Sequence, residues 1–113
     1  MFRSVFALLV AAVALPFAHS ARAQSQEDIQ NAVVGFYLIS VAVDVCDLDI
    51  TKEQEKRLEG WIEWAEGKLK VADRKLDKAY ADMEAAAKKD KTAFCAEMKP
   101  IAAKGVKELP ALP

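Results

Sequence analysis

One short stretch gathers most of the reactive side-chain types of this chain, CDLDITKEQEKRL at residues 46–58. A calcium loop of the EF-hand kind needs oxygen ligands at its first, third and fifth positions, glycine at the sixth and a bidentate glutamate at the twelfth. Counted from Asp47, the sixth position is Lys52 and the twelfth is Leu58. The glycine turn and the last ligand are both missing, so the sequence argues against a calcium loop.

The same stretch has the features of a helix start. Thr51 is followed three residues later by Gln54, which is a capping box: the threonine oxygen accepts a backbone N–H and the glutamine reaches back. Glu53 adds a negative charge to the first turn, where the helix dipole favours it. We therefore predict a corner between two helices and no metal site.

Four glutamates recur just downstream at positions i, i+4, i+8 and i+11, and they share one face of a helix: Glu55, Glu59, Glu63 and Glu66. Such an acidic face could dock a basic partner or hold a hard cation weakly. A solvated face is the simpler interpretation, because like charges four residues apart cost only a few tenths of a kcal/mol each.

The segment GWIEWAEG, residues 60–67, sets two tryptophans between two glycines. Trp61 and Trp64 fall on one helix face, and each glycine inside a helix costs about 1 kcal/mol relative to alanine. Gly60 and Gly67 would be explained by close helix approach, or by a groove beside the indoles for an apolar ligand or a peptide. The other interpretation is that both tryptophans anchor the core. This segment is the possible interaction surface of the chain.

Catalytic chemistry lacks its usual residues. A serine or cysteine nucleophile normally needs a neighbouring base, and the one histidine, His19, lies in an N-terminal segment that we expect to be removed. Two cysteines cannot fill a zinc site alone, and no P-loop or dinucleotide-binding pattern is present. We expect a protein that is not an enzyme and has no catalytic residue, metal or cofactor.

The N-terminal segment has the organisation of a signal peptide. Arg3 supplies a positive charge, and residues 5–15 form an apolar block shorter than the ~20 residues that span a bilayer. The sequence ARA at residues 21–23 offers small residues to a signal peptidase. We predict a signal peptide over residues 1–23 and export to the periplasm or the medium. Cleavage after AHS at residues 18–20 and an uncleaved membrane anchor are the alternatives.

The mature chain would be residues 24–113, 90 residues in all, which is enough for one small domain. Loss of Arg3 and Arg22 leaves 14 basic and 17 acidic residues, a net charge of −3. Binding to nucleic acid is therefore not expected. We predict a helical domain over residues 24–109 and a frayed tail at residues 110–113, because the closing LPALP cannot continue a helix.

Cys46 and Cys95 both lie in the mature part, and paired cysteines are usual in exported proteins. We predict one intramolecular disulfide; a reactive thiol is the alternative. Residues 51–89 have apolar side chains at alternating steps of four and three, the pattern of a buried helical seam. Bridged Cα atoms lie about 5.5 Å apart, so one straight helix between the cysteines is incompatible with the bridge.

The chain is therefore predicted to reverse at GKLKVAD, residues 67–73. Gly67 would end the first helix in the left-handed conformation and Asp73 would cap the second. The result is two antiparallel helices over about 52–66 and 74–89. An unbroken helix with an intermolecular bridge is the competing explanation.

Upstream, the sequence AVVGFYLISVAVDV at residues 32–45 is apolar on almost every side. That pattern suits the central helix of a bundle. The run between Asn31 and Asp44 is also shorter than a membrane span needs. The predicted fold class is all-α, a small bundle of three or four antiparallel helices with one disulfide.

An exported, histidine-poor helical domain with Cys46 and Cys95 49 positions apart resembles in outline the HdeA-type acid-stress chaperones of the periplasm. Those are small helical proteins held by one disulfide. The resemblance covers the outline and no motif, so it implies a class of function and no site residues. It implies a protein-interaction or chaperone-like module.

Two further hypotheses stay open. One is a protein that binds a small ligand or a cation, and the other is a structural, envelope-associated subunit that forms homo-oligomers through the helical seam. The expected partner is an unidentified protein or an apolar ligand, and no membrane span is expected after signal cleavage. The sequence leaves the oligomeric state open.

Overall fold

The computed structural model describes residues 25–113, and within them the chain forms four α-helices and no strand. The helices are α1 (Gln26–Val45), α2 (Lys52–Lys68), α3 (Asp73–Lys89) and α4 (Lys91–Lys107). The predicted fold class, a small all-α bundle with one disulfide, is confirmed. The signal peptide predicted over residues 1–23 lies outside the described residues.

Helix α1 is the centre of the bundle. It packs against α2, α3 and α4, whereas no Cα atoms of α2 and α3 approach within 8 Å in the described chain. A helix with neighbours on three sides needs apolar residues on most of its surface, which explains its near-continuous apolar sequence. Its buried side chains recur along its whole length: Ile29, Val33, Tyr37, Val41, Ala42 and Val45.

Among residues 25–113, α1 is also the one helix long and apolar enough to cross a membrane by length and composition. The apolar run between Asn31 and Asp44 is shorter than a span, but α1 as a whole has 20 residues because the helix begins earlier, at Gln26. In this fold 33% of its most apolar 18-residue stretch is buried inside the bundle. The absence of a span from the folded protein stays a prediction.

Capping residues define the first two helix starts. Ser25 Oγ accepts a hydrogen bond from the backbone N–H of Asp28 at 3.1 Å. The predicted capping box is complete, since Thr51 Oγ1 accepts from Gln54 N at 3.0 Å and Gln54 Oε1 accepts from Thr51 N at 2.9 Å. Between the two helices Asp47 has φ 51°, a left-handed conformation that aspartate tolerates better than most residues. The corner predicted from the sequence is confirmed.

The predicted reversal between α2 and α3 is also confirmed, but by a different mechanism. Gly67 lies inside α2 and does not adopt a positive φ. Helix α2 instead continues to Lys68, and its C-cap residue, Leu69, has an extended backbone and a buried side chain. Asp73 is the first residue of α3, and the N-cap position is Ala72. Entry of Leu69 into the core replaces the predicted glycine turn.

Gln26, at the start of α1, holds this reversal in place. Its side-chain Oε1 accepts from Lys70 N and its Nε2 donates to Lys68 O, both at 2.9 Å. The two bonds satisfy backbone groups that lie at or just beyond the end of a helix and would otherwise lack a partner. The Gln26 side chain of α1 therefore fixes the position of the turn that follows α2.

Most of the buried apolar residues form two clusters along α1. The first contains Ile29, Val33, Tyr37, Ala65, Leu69 and Leu76. The second surrounds the disulfide and contains Val41, Val45, Cys46 and Ala87. The helical seam predicted across residues 51–89 is thus buried within one molecule at several of its positions, while two other residues at seam spacing, Ala72 and Ala86, are exposed.

The predicted disulfide joins Cys46, at the end of α1, to Cys95 near the start of α4, with 5.5 Å between the Cα atoms. No free cysteine occurs in the part of the chain that the structure describes. A disulfide of this kind fits an oxidising compartment. Beyond it, α4 continues without interruption through Pro100.

Candidate functional site

Four residues of α2 form one stripe, here called the tryptophan face: Arg57, Gly60, Trp61 and Trp64. Their spacing of i, i+3, i+4 and i+7 places them on the same side of the helix. All four are half-buried. The tryptophan pair singled out in the sequence is therefore neither enclosed in the core nor freely exposed.

Aromatic contacts fix the positions of the two indoles. The rings of Trp61 and Trp64 meet edge to face with centroids 5.3 Å apart, and Phe36 of α1 stacks on Trp61 at 6.1 Å. Lys68 Nζ lies 5.0 Å from the Trp64 ring centroid, which is within the range of a cation–π contact. These contacts orient both rings without using the indole N–H of Trp61.

That N–H binds the C-terminal tail, residues 110–113, which lies along the tryptophan face. Trp61 Nε1 donates a hydrogen bond to Pro110 O at 2.8 Å. One turn earlier, Arg57 Nη1 donates to Leu109 O at 3.3 Å, and the Leu109 side chain is buried. The tail, which the sequence predicts to fray, is non-helical here; Trp61 of α2 holds its first residue and Arg57 holds the residue before it.

Gly60 provides space for the tail. A Cβ built at this position would clash with Leu112 Cδ1, whereas a Cβ at Gly67 would meet nothing within 4 Å. Of the two glycines that the sequence places beside the tryptophans, only Gly60 admits another segment. That segment is the C-terminal tail of the same chain.

Replacing Gly60 by alanine is expected to loosen the tail without harming the helix. Alanine is favoured over glycine inside a helix by up to about 1 kcal/mol, but its methyl group would displace Leu112. We expect an unchanged or slightly higher free energy of unfolding, together with faster hydrogen exchange of the Trp61 indole N–H. Gly67→Ala is the matched control, because it gives the same gain in helix propensity at a position where the new methyl group has no neighbour within 4 Å. Equal indole exchange rates in the two variants would contradict this packing.

The predicted acidic face is divided by the fold. Glu55, Glu59 and Glu63 are exposed, while Glu66 is half-buried and accepts a hydrogen bond from the hydroxyl of Tyr37. A carboxylate bonded to a tyrosine in this way is a poor member of a solvated cation site. Within residues 25–113, no group of three or more histidine, cysteine, aspartate or glutamate side chains could hold a metal ion.

A polar cluster between α1 and α3 was not assigned by the sequence analysis. Tyr37 and Tyr80 meet edge to face at 5.3 Å. The hydroxyl of Tyr80 lies 3.0 Å from Ser40 Oγ and donates to Asp44 Oδ2 at 3.3 Å. The available signal was a polar stripe at i, i+3 and i+7, formed by Tyr37, Ser40 and Asp44 in an otherwise apolar helix. The cluster gives buried phenols hydrogen-bond partners, as burial requires.

Burial raises the pKa of both tyrosine hydroxyls. At Tyr37 desolvation is the largest cause, and the hydrogen bond to the Glu66 carboxylate raises the pKa further. At Tyr80 desolvation again leads, the bond from Ser40 lowers the pKa, and Asp44 raises it. A raised pKa means that the folded chain holds the phenolic proton more tightly than the unfolded chain. The resulting stability is complete below the unfolded pKa of about 10 and is lost as the pH rises above it.

We therefore expect the two tyrosines of this chain to ionise at higher pH when it is folded than when it is unfolded in guanidinium chloride, where they titrate near pH ~10. Ultraviolet absorbance of tyrosinate measures both titrations. Tyr37→Phe should reduce the loss of stability on the alkaline side and leave the titration of Tyr80 in place. Titration curves that coincide in the folded and unfolded chain would contradict the burial of these hydroxyls.

The tryptophan face has contributors that sequence analysis did not assign: Arg57, Phe36 and the carbonyl groups of Leu109 and Pro110. Arg57 could have been found, because it precedes Trp61 by four residues and so begins the stripe. Phe36 and the two carbonyls belong to other elements, and their placement depends on the tertiary fold.

No family model, curated protein or solved structure matches this chain. The resemblance in outline to the acid-stress chaperones stays a prediction.

Proposed function

We propose that this protein is exported and acts as a protein-interaction or chaperone-like module that binds segments of other proteins at the tryptophan face. The observation that supports this function is that the face already holds a non-helical peptide segment, its own C-terminal tail. Trp61 and Arg57 donate to carbonyl groups of that segment or of the residue before it. Every peptide has such carbonyl groups, so the same donors suit a segment from another chain.

The chemistry of the face suits such a role. Tryptophan and arginine are the residue types most enriched among the side chains that dominate protein binding. The indoles of Trp61 and Trp64 offer flat apolar surface, and the absent side chain at Gly60 leaves space for an aliphatic group. A peptide could therefore be held by its backbone and by one or two apolar side chains together.

Two features support export. The pattern of residues 1–23 is that of a signal peptide, and the bridge between Cys46 and Cys95 suits an oxidising compartment such as the periplasm or the medium. The mature chain would carry a net charge of −3, which makes nucleic acid an unsuitable partner. The proposed role is binding and not catalysis.

The two other hypotheses have less support. A small-ligand or cation binder would use the groove beside Trp61 or the acidic face, but the tail lies along that groove and Glu66 is bonded to Tyr37. A homo-oligomer formed through the helical seam would need Leu69 and Leu76 at its surface, and both are buried within one molecule.

Suppression of aggregation tests the proposed function. A test protein is diluted out of guanidinium chloride at neutral and at acidic pH, and light scattering is followed with and without the oxidised chain. We expect wild type to reduce scattering and the Trp61→Ala, Trp64→Ala variant to lose most of this effect. Trp61→Phe keeps an apolar ring and removes the N–H, so it should reduce scattering less than wild type and more than the double variant.

The matched control removes exposed apolar surface elsewhere. Val34 and Ile101 are 37% and 54% exposed, so Val34→Ala, Ile101→Ala should suppress aggregation as wild type does. Circular dichroism verifies that each variant is folded. The proposal fails if wild type has no effect at either pH, or if the tryptophan variant is as active as wild type.

A further inference from the structure

We propose that the C-terminal tail competes for the tryptophan face and that a partner protein binds by replacing it with a segment of the same chemistry. That segment has a proline followed two residues later by an aliphatic side chain, as in PAL at residues 110–112 of this chain. The inference rests on the proposed function, because it specifies the kind of partner and the regulation of the same surface.

The contacts of the tail define what the face recognises. A leucine, Leu109, is buried at one end, and its carbonyl accepts from Arg57. The next residue, Pro110, has no N–H to satisfy, and its carbonyl accepts from Trp61. Leu112 then lies against Gly60. A partner segment with a proline and, two residues later, an aliphatic side chain reproduces the contacts of Pro110 and Leu112, while Leu109 and its bond from Arg57 stay in place.

The tail is also weakly held, as a displaceable segment must be. Residues 110–113 are all exposed, and the Leu112 side chain remains 45% exposed on its contact with Gly60. Neither of the two buried clusters that hold the helices together includes a tail residue. Segments with few buried contacts open at low free energy while the rest of the fold stays intact.

Competition of this kind has a measurable consequence. A partner binds only to molecules whose face is open, so its apparent affinity is reduced by the open fraction. Release of the tail breaks one side-chain hydrogen bond and the packing of one half-exposed leucine. We therefore expect the closed form to be favoured over the open form on the order of tenfold. Removal of the tail should increase partner affinity by the same factor.

The test compares the full chain with a chain shortened after Leu109, which keeps the buried leucine and lacks residues 110–113. The probe is a synthetic peptide with the sequence KELPALP, residues 107–113, with a blocked N-terminus. Binding is followed by the NMR resonance of the Trp61 indole N–H up to millimolar peptide. We expect the peptide to move this resonance in the shortened chain towards its position in the full chain, and the full chain to need on the order of tenfold more peptide.

Two variants of the shortened chain serve as controls. Trp61→Phe should weaken peptide binding, measured on the Trp64 indole resonance, and Ile101→Ala should leave it unchanged. Equal peptide affinity in the full and shortened chains would overturn the competition, and so would the absence of binding to the shortened chain. In either case, suppression of aggregation that depends on Trp61 and Trp64 would still support the proposed function.

A second copy of the chain carries the same tail and is the other possible occupant. Sedimentation of the full and shortened chains over a range of concentrations separates the two cases. The proposal expects monomers in both samples. Dimers of the full chain that disappear on shortening would show exchange of tails between copies and would overturn the assignment to a different partner.

Discussion

Replacing both bridged cysteines, Cys46→Ala and Cys95→Ala, is expected to lower the free energy of unfolding by about 4 kcal/mol. The bridge spans a sequence separation of 49 residues, and closing so long a loop removes much conformational freedom from the unfolded chain. Whole domains have a stability of roughly 5–15 kcal/mol, so this is a large share. Denaturation by guanidinium chloride, followed by tryptophan fluorescence and far-ultraviolet circular dichroism, measures the change.

Chemical reduction of the wild-type chain provides the control, because it breaks the same bond without changing a residue. It should cost about as much as the double substitution. Alanine is preferred to serine here, since Cys46 is 5% exposed and a buried hydroxyl would need a partner. A double variant with the stability of the oxidised wild type would contradict the role assigned to the bridge.

Leu76→Ala is expected to cost about 3 kcal/mol, within the range of 2–5 kcal/mol found for buried leucines. Leu76 is 6% exposed and is the residue of α3 in the first core cluster, together with Val33 and Tyr37 of α1. No Cα atom of α3 lies within 8 Å of a Cα atom of α2. The position of α3 therefore depends on buried apolar contacts with α1, such as those of Leu76. Thermal or chemical unfolding gives the difference directly.

Ile101→Ala is the control for this substitution, because it removes a similar aliphatic side chain that is 54% exposed. Its expected cost is below about 1 kcal/mol, since little apolar surface leaves water at that position. Similar losses of unfolding free energy for Leu76→Ala and Ile101→Ala would contradict the burial of Leu76 in this fold.

Local signals made parts of the fold predictable. The corner at Thr51 could be predicted because both partners of the capping box lie within three residues of each other. The disulfide followed from an even number of cysteines and a signal-peptide pattern. The reversal after α2 then followed from the disulfide, since Cys46 and Cys95 could not otherwise meet.

Other parts depend on contacts that a sequence pattern does not specify. The reversal is held by Gln26, which bonds to residues 42 and 44 positions away. Glycine is the residue type expected just after a helix end, yet α2 continues past Gly67. The helix ends where the Leu69 side chain can enter the core. The placement of α1 between α2 and α3 likewise arises from tertiary packing and not from any one segment.

The candidate site divides in the same way. Helical spacing predicted that Trp61 and Trp64 share a face, and the glycine beside them pointed to a close approach. The approaching segment could not be predicted, because nothing in the residues of LPALP states where they dock. Glu66 follows the helical spacing of the other three glutamates, but unlike them it accepts a hydrogen bond from Tyr37, which the spacing does not predict.

If a segment of another protein binds at the tryptophan face, the two tryptophans of the chain report on its binding directly. The measurement is an NMR spectrum of the two indole N–H resonances, recorded with and without an unfolded test protein whose binding is verified by co-sedimentation. We expect both resonances to shift or broaden on binding. A test protein that co-sediments with the chain while both resonances stay unchanged would contradict it.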